Sequence, residues 1–198
     1  MRAVTSAAKP SIQPAGLALR SQRLQLVACT AAMGRAALIE PDSLQPLVGA
    51  RPADGWPLIE VRRFLPFYIA RLERDGSLLG WGVWLVVHLQ DGLIIGDVGL
   101  HGKPTRDGMA EIGYSIVPAY RGHGYASEAG QAIVEWAFSH RRLQRLIATC
   151  EVDNAASAAV LTRLGMRPAG MIEDLLKWEL PRQAWAAMHD AATPGQAR

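Results

Sequence analysis

Apolar positions along the chain recur with a period of two in some stretches and about 3.6 in others, and the period predicts the element. Leu24, Leu26 and Ala28 alternate with Gln25 and Val27, a short first strand. Thr30 is placed to cap a helix starting at Ala31, and Pro41 stops it. A second helical stretch, about 58–73, follows Trp56-Pro57; Pro66 inside it predicts a kink or two shorter helices. Asp75-Gly76 marks a turn, 81–88 reads as a strand, Asp91-Gly92 as a tight hairpin turn and 93–100 as the partner strand. After a polar loop, 109–117 is the next strand. It carries Glu111, Gly113, Ser115 and Val117 on one face and Ile112, Tyr114 and Ile116 on the other.

Pro118 ends that strand, and a helix is predicted over 125–140. Ala126, Ala129, Gly130, Ile133 and Ala137 form its buried stripe, with Ser127, Glu128, Gln131 and Glu135 facing water. Residues 145–152 alternate as a strand. Asn154 caps a helix over 155–164 with Gly165 just past its end, and strands follow near 168–173 and 175–180. Three consecutive strands with helices inserted before and after them predict an α/β (α+β) fold: a mixed, mostly antiparallel sheet of about seven strands flanked by helices.

Composition narrows the picture. The chain has 198 residues and 49% hydrophobic content, enough for one well-filled domain, which excludes wholesale disorder. We expect a single domain over 17–189, with flexible arms at 1–16 and 190–198. The net charge is only +3, and 18 of the 21 basic residues are Arg without a long run, so no nucleic-acid partner is expected. Cys29 and Cys150 stand far apart and fit reduced, buried thiols. No signal-peptide run opens the chain, and the most apolar window, 78–100, is broken by Gly, His, Gln and Asp. A protein without a membrane partner, in the cytoplasm, is expected. His88, His101, His140 and His189 lack metal-ligand spacing, so no metal is expected.

The chemistry concentrates where the strand ending at Val117 meets the helix starting at Tyr125. Gly122 and Gly124 let the backbone approach a ligand, and the unpaired N–H groups of the helix start favour an anion such as a pyrophosphate. An ordinary glycine-bearing turn explains the same spacing. A Walker loop is excluded because Tyr125-Ala126 follows Gly124 where Lys-Ser/Thr is required. The Rossmann fingerprint fits poorly, since Ser127 stands where its third Gly or Ala belongs and the loop lies mid-chain.

The segment Val117-Pro-Ala-Tyr-Arg121-Gly122-His123-Gly124-Tyr125-Ala126 resembles the Arg/Gln-x-x-Gly-x-Gly/Ala signature of the GCN5-related N-acetyltransferases (GNAT). Glu111-Ile-Gly-Tyr, Ser127-Glu128-Ala129, Asn154-x-x-Ser157 and Leu164-Gly165-Met166 are similar to the ribosomal-protein-alanine acetyltransferase (RimJ/RimL-like) branch. The order of elements matches over about 17–185. The resemblance implies the GNAT fold, acetyl-CoA as co-substrate and a primary amine as acceptor, with direct attack of the amine on the thioester. It implies a pantetheine arm in the gap between two splayed strands, held by the backbone of Ile116 and Val117. It further implies a pyrophosphate on the amides of Arg121, Gly122, His123, Gly124, Tyr125 and Ala126.

The reaction needs a base, an acid for the leaving thiolate and donors for the developing oxyanion. Glu111 is the candidate base, acting through water; its alternative is a strand-end carboxylate in a surface pair. Ser157 is the candidate acid, since Leu161 stands where many relatives carry a tyrosine; its alternative is a helix-start residue. Asn154 caps, and can also touch the coenzyme. Tyr114 and Tyr120 read as packing residues, as do Trp81 and Trp84. The acceptor is a protein N-terminus or a small-molecule amine. Asp42 and Asp54 alone do not make the strongly acidic cleft that an aminoglycoside would favour. The competing class is a non-catalytic acyl-CoA sensor of the same fold. A monomer or homodimer is expected.

Overall fold

The computed structural model describes residues 16–191, so most of the expected arms, 1–15 and 192–198, lies outside the described residues. In chain order the elements are β1 (Ala18–Arg20), β2 (Leu24–Ala28), α1 (Ala31–Ile39), the short α2 (Gln45–Val48), β3 (Arg51–Pro52), α3 (Ile59–Arg74), β4 (Val83–His88), β5 (Leu93–Leu100) and β6 (Met109–Ile116). They continue with α4 (Tyr125–Ser139), β7 (Arg145–Glu151), α5 (Ala155–Arg163), β8 (Arg167–Ile172), β9 (Leu175–Pro181) and α6 (Arg182–Ala191). The sheet runs β1-β2-β4-β5-β6-β7-β9-β8, with β3 beside β5. All pairs are antiparallel except β6–β7 and β3–β5. This is the mixed, mostly antiparallel sheet that the pattern predicts.

Four local expectations are corrected. The sheet has nine strands among the described residues, because β1 and β3 hold 3 and 2 residues and are too short to show a period. The helix α3 is one run of 16 residues through Pro66. Val61, Leu65, Tyr68, Ile69 and Leu72 bury one face on both sides of the proline. Pro66 itself and Arg62, whose carbonyl loses its helical donor, face water. Helix α6 was not legible in its Ala-rich stretch; it is held by Trp185 stacking on Phe138, ring centroids 5.0 Å apart. Glu128 does not face water: Ser21 Oγ, the Arg23 amide and Arg23 Nε all donate to its carboxylate at 2.7–2.8 Å, clasping the first turn of α4 to the β1–β2 turn.

Register decides what each face of the sheet carries. Trp84 pairs with Val98 and Val98 with Tyr114, so these side chains share one face; Trp84 meets Trp136 of α4 there. Leu85 pairs with Asp97 and Asp97 with Ser115, which share the opposite face, under Trp56 and α3. The Tyr68 hydroxyl of α3 donates to Cys29 O at 2.8 Å, fastening that layer to the end of β2. Both cysteines are buried free thiols, as expected. Trp81 and Trp84 pack in the core, also as expected. Among the described residues no helix is long and apolar enough to cross a membrane.

The strands β6 and β7 pair only at Met109–Arg145, Ala110–Leu146 and Glu111–Ile147. Beyond Glu111 they diverge, although β6 continues to Ile116 and β7 to Glu151. The connecting helix α4 is the crossover that a parallel pair requires.

Candidate active site

A cavity of about 920 Å³ passes through this divergence and is lined from both faces of the sheet. Phe64, Asp97 and Ser115 line it on the α3 side, and Tyr114, Ser127 and Ser157 on the α4–α5 side. Of the predicted binding residues, all but Val117 and His123 line it; of the two predicted catalytic residues, Ser157 does and Glu111 does not.

The α4 end of the cavity is built for an anion. Gly124 takes the N-cap position at φ 81° and offers no capping side chain, and Glu128 N is the first amide to bond back, to Gly124 O at 3.0 Å. The amides of Tyr125, Ala126 and Ser127 therefore have no helical partner. Ser127, expected to face water, instead turns its Oγ inward, where it is buried without a hydrogen-bond partner and lines the same space. A Cβ on Gly122, at φ 78°, would meet nothing within 4 Å, so its place in the loop reflects backbone conformation and not crowding. Arg121 Nε donates to Ile116 O at 2.8 Å, which pins the loop to the strand end. The loop is tied to the β4–β5 hairpin by Tyr125, whose hydroxyl lies 2.9 Å from His88 Nε2, and by Tyr120, which donates to Asp91 Oδ2 at 2.6 Å. That acceptance pushes the Tyr120 phenol up to about 12. These donors, with an open mouth beside them, fit a pyrophosphate.

Three predicted residues sit elsewhere. The Val117 amide donates to Ile95 O, and its carbonyl accepts from Tyr120. In an antiparallel ladder the backbone groups of alternate residues point the same way. Odd-numbered residues of β6 thus turn toward β5, and the Ile116 amide turns toward the gap. His123 is exposed, with Nδ1 2.7 Å from Arg121 O. Glu111 is held against the sheet by Thr149 Oγ1 at 3.1 Å and His101 Nδ1 at 3.3 Å. The His101 contact holds its carboxyl below the usual range despite partial burial. His101 itself lines the cavity.

Ser157 and Tyr114 form a hydroxyl pair across the gap, 2.9 Å apart, and burial pushes the Tyr114 phenol up. Asn154 accepts from the Ser157 amide at 2.9 Å, so Asn154 is the cap and leaves the Ser157 hydroxyl to Tyr114. Tyr114 is thus more than a packing residue.

Asp97 was missed. Its interruption of the apolar run was the only signal in the sequence. Burial pushes its carboxyl up to about 7, against hydrogen bonds from Ser115 Oγ at 2.8 Å and Trp56 Nε1 at 3.2 Å; the charge of Glu60 adds to the rise.

Comparison with known proteins gives consistent relatives. The family model described as an acetyltransferase (GNAT) domain matches residues 50–167, more than half of the chain. The "Uncharacterized N-acetyltransferase YjdG" of Bacillus subtilis (strain 168) is 33% identical over 110 residues, 56% of this chain and 66% of the relative. The chain therefore spans just under two thirds of that relative's length. Ribosomal-protein-S5-alanine acetyltransferase from Vibrio fischeri superposes with a TM-score of 0.61 at 19% identity, covering 85% of this chain and 98% of the other. The RimL ribosomal L7/L12 alpha-N-protein acetyltransferase in complex with coenzyme A gives 0.59 at 22%, covering 83% and 97%. At these identities the two structures establish the shared fold.

Proposed function

The chain belongs to the GNAT acetyltransferase family, and on that premise we propose that it moves an acetyl group from acetyl-CoA to a primary amine, by direct attack and without an acyl-enzyme. The observation that carries the reading is the row of partnerless amides at Tyr125, Ala126 and Ser127, with the orphaned Ser127 hydroxyl, beside the gap between β6 and β7. The anionic end of the coenzyme would be held by the 121–126 loop, and its arm by the Ile116 amide on the open edge of β6. Bound there, acetyl-CoA supplies the activated acyl group.

The residues divide the remaining work. The Tyr114–Ser157 hydroxyl pair supplies a proton to the departing sulfur. Asn154 holds the start of α5, and with it Ser157, in place. Glu111 is a positioning residue that orients His101 on the cavity wall. Neither cysteine is a nucleophile: Cys29 is fully buried and burial pushes its thiol up to about 12, and Cys150 does not line the cavity. This reading carries with it a cytoplasmic location, where acetyl-CoA is made.

The test is release of free coenzyme thiol, with acetylated product identified by mass spectrometry, from the purified chain, acetyl-CoA and a panel of peptides and small primary amines. Coenzyme A should also raise the melting temperature. No stabilisation by coenzyme A and no thiol release with any acceptor would refute the proposal.

A further inference from the structure

We infer that Asp97 is the acceptor's receptor: a primary ammonium carried on an apolar body enters the cavity from the α3 side, pairs with Asp97 Oδ1 and gives that oxygen its proton. The inference rests on the acetyltransferase reading above.

Asp97 is the one buried carboxylate among the described residues, 8% exposed. Both of its hydrogen bonds, from Ser115 and Trp56, arrive at Oδ2, and both donors are neutral. Oδ1 takes neither bond, and the residue lines the cavity. A buried carboxylate without a positive partner is costly unless a ligand supplies the charge.

The charges lining the cavity are segregated. Arg121 and Arg163 stand on the coenzyme side, and Glu60 and Asp97 on the α3 side. A phosphate- or carboxylate-bearing acceptor entering from α3 would meet two like charges; an ammonium would meet two opposite ones. The wall beside Asp97 is Leu58, Val61 and Phe64. That surface rewards an apolar or aromatic body behind the amine. His101 on the same wall is engaged with Glu111 and does not neutralise Asp97.

The proton balance closes without a further reactant. One proton leaves the ammonium for Asp97 Oδ1, which frees the nitrogen lone pair. The nitrogen–carbon bond forms at the thioester carbonyl as the carbon–sulfur bond breaks, its electron pair going to sulfur. The Tyr114–Ser157 pair delivers one proton to that sulfur and is refilled by the second proton of the nitrogen. Asp97 then returns its proton to solvent. The titratable groups facing Asp97 in this cycle are Glu60 from α3 and the Cys29 thiol behind it, with the His101–Glu111 pair further along the sheet.

Thermal shift on the coenzyme A complex tests the inference with three probes of one shape: 2-phenylethylamine, 2-phenylethanol and 3-phenylpropanoate. The amine should stabilise wild type most and the carboxylate least, and Asp97→Asn should erase the amine's advantage over the alcohol. Coenzyme A should stabilise both proteins equally. With any productive acceptor, Asp97→Asn should lower kcat/KM by about 10²-fold or more. Glu60→Gln, an exposed change that leaves the fold intact, should weaken the amine a few-fold and provides the test where Asp97→Asn does not fold. An amine that binds wild type no better than the alcohol, or that keeps its advantage in Asp97→Asn, overturns the inference. Failure of coenzyme A itself to stabilise wild type overturns the acetyltransferase reading instead.

Discussion

Replacing Asp97 by Asn should make the protein more stable at neutral pH while impairing its chemistry. Moving a carboxyl from 3.8 to about 7 makes its ionised form up to about 4 kcal/mol less favourable in the folded chain than in the unfolded one. The sign follows from the raised value. Well below pH 3.8 both states hold the proton and wild type carries no penalty. Between pH 4 and 7 the unfolded carboxyl ionises first, so wild-type stability falls as pH rises, and above pH 7 the full cost is present. Asn cannot ionise, and its oxygen can still accept from Ser115 and Trp56 at the place where Oδ2 now does. The stability difference, mutant minus wild type, should therefore move in the mutant's favour by up to about 4 kcal/mol from pH 4 to 8. For a domain of this size that is roughly 8–16 °C in relative melting temperature. Urea unfolding of both proteins at several pH values measures it, since contributions of other carboxylates cancel in the difference. Parallel curves, with a gap constant across that window, would refute the argument that Asp97 is buried at a cost.

Gly124→Glu places a Cβ and a carboxylate at a left-handed N-cap position facing the anion site, so coenzyme A should no longer raise the melting temperature of a protein that still folds. Ser157→Ala and Tyr114→Phe should each lower kcat more than they raise KM, with little loss of stability because Asn154 keeps the helix cap; a purely structural effect would show as lost stability at unchanged kcat. Glu111→Gln should cost under about tenfold in rate, well short of the loss at Asp97, and a loss of about 10²-fold or more would restore Glu111 as the base. Gly82→Ala would drive a methyl into the Tyr68 ring and should destabilise by about 1–3 kcal/mol in chemical denaturation.

The parts of the fold that repeat or are punctuated were legible. The 93–100 strand, the strand from Met109 and the Thr30 and Asn154 caps follow from alternation and from Gly, Pro, Asp and Asn at the breaks. The glycine loop before α4 was legible because Gly122 and Gly124 sit at a strand-to-helix turn, a local signal. What was not legible depends on pairing across the sheet. Asp97 looks like a blemish in an apolar run until the register sets it opposite Ser115 and under Trp56. The Glu111–His101–Thr149 set joins two strand positions and the residue just past β5, whose proximity no local spacing contains. The role of Tyr114 depends on how far β7 leaves β6, which only packing decides.

That divergence also bears on why we place the acceptor at Asp97 and not at Glu111. Glu111 stands at the last paired position of β6, opposite Ile147, where β7 still covers the edge and its Thr149 takes one carboxylate oxygen. Ser115 lies four residues further along β6, past the point where β7 has left, and Asp97 is its partner on β5. A side chain there looks into open cavity. Glu111 therefore spends its charge on neighbours of the protein, and its carboxyl sits low. Asp97 has no positive neighbour, and its carboxyl sits near neutrality, where a base can both take and return a proton. The same loss of strand pairing that opens the cavity thus leaves one buried carboxylate without a positive partner on its wall. The stability it costs is the condition for its use.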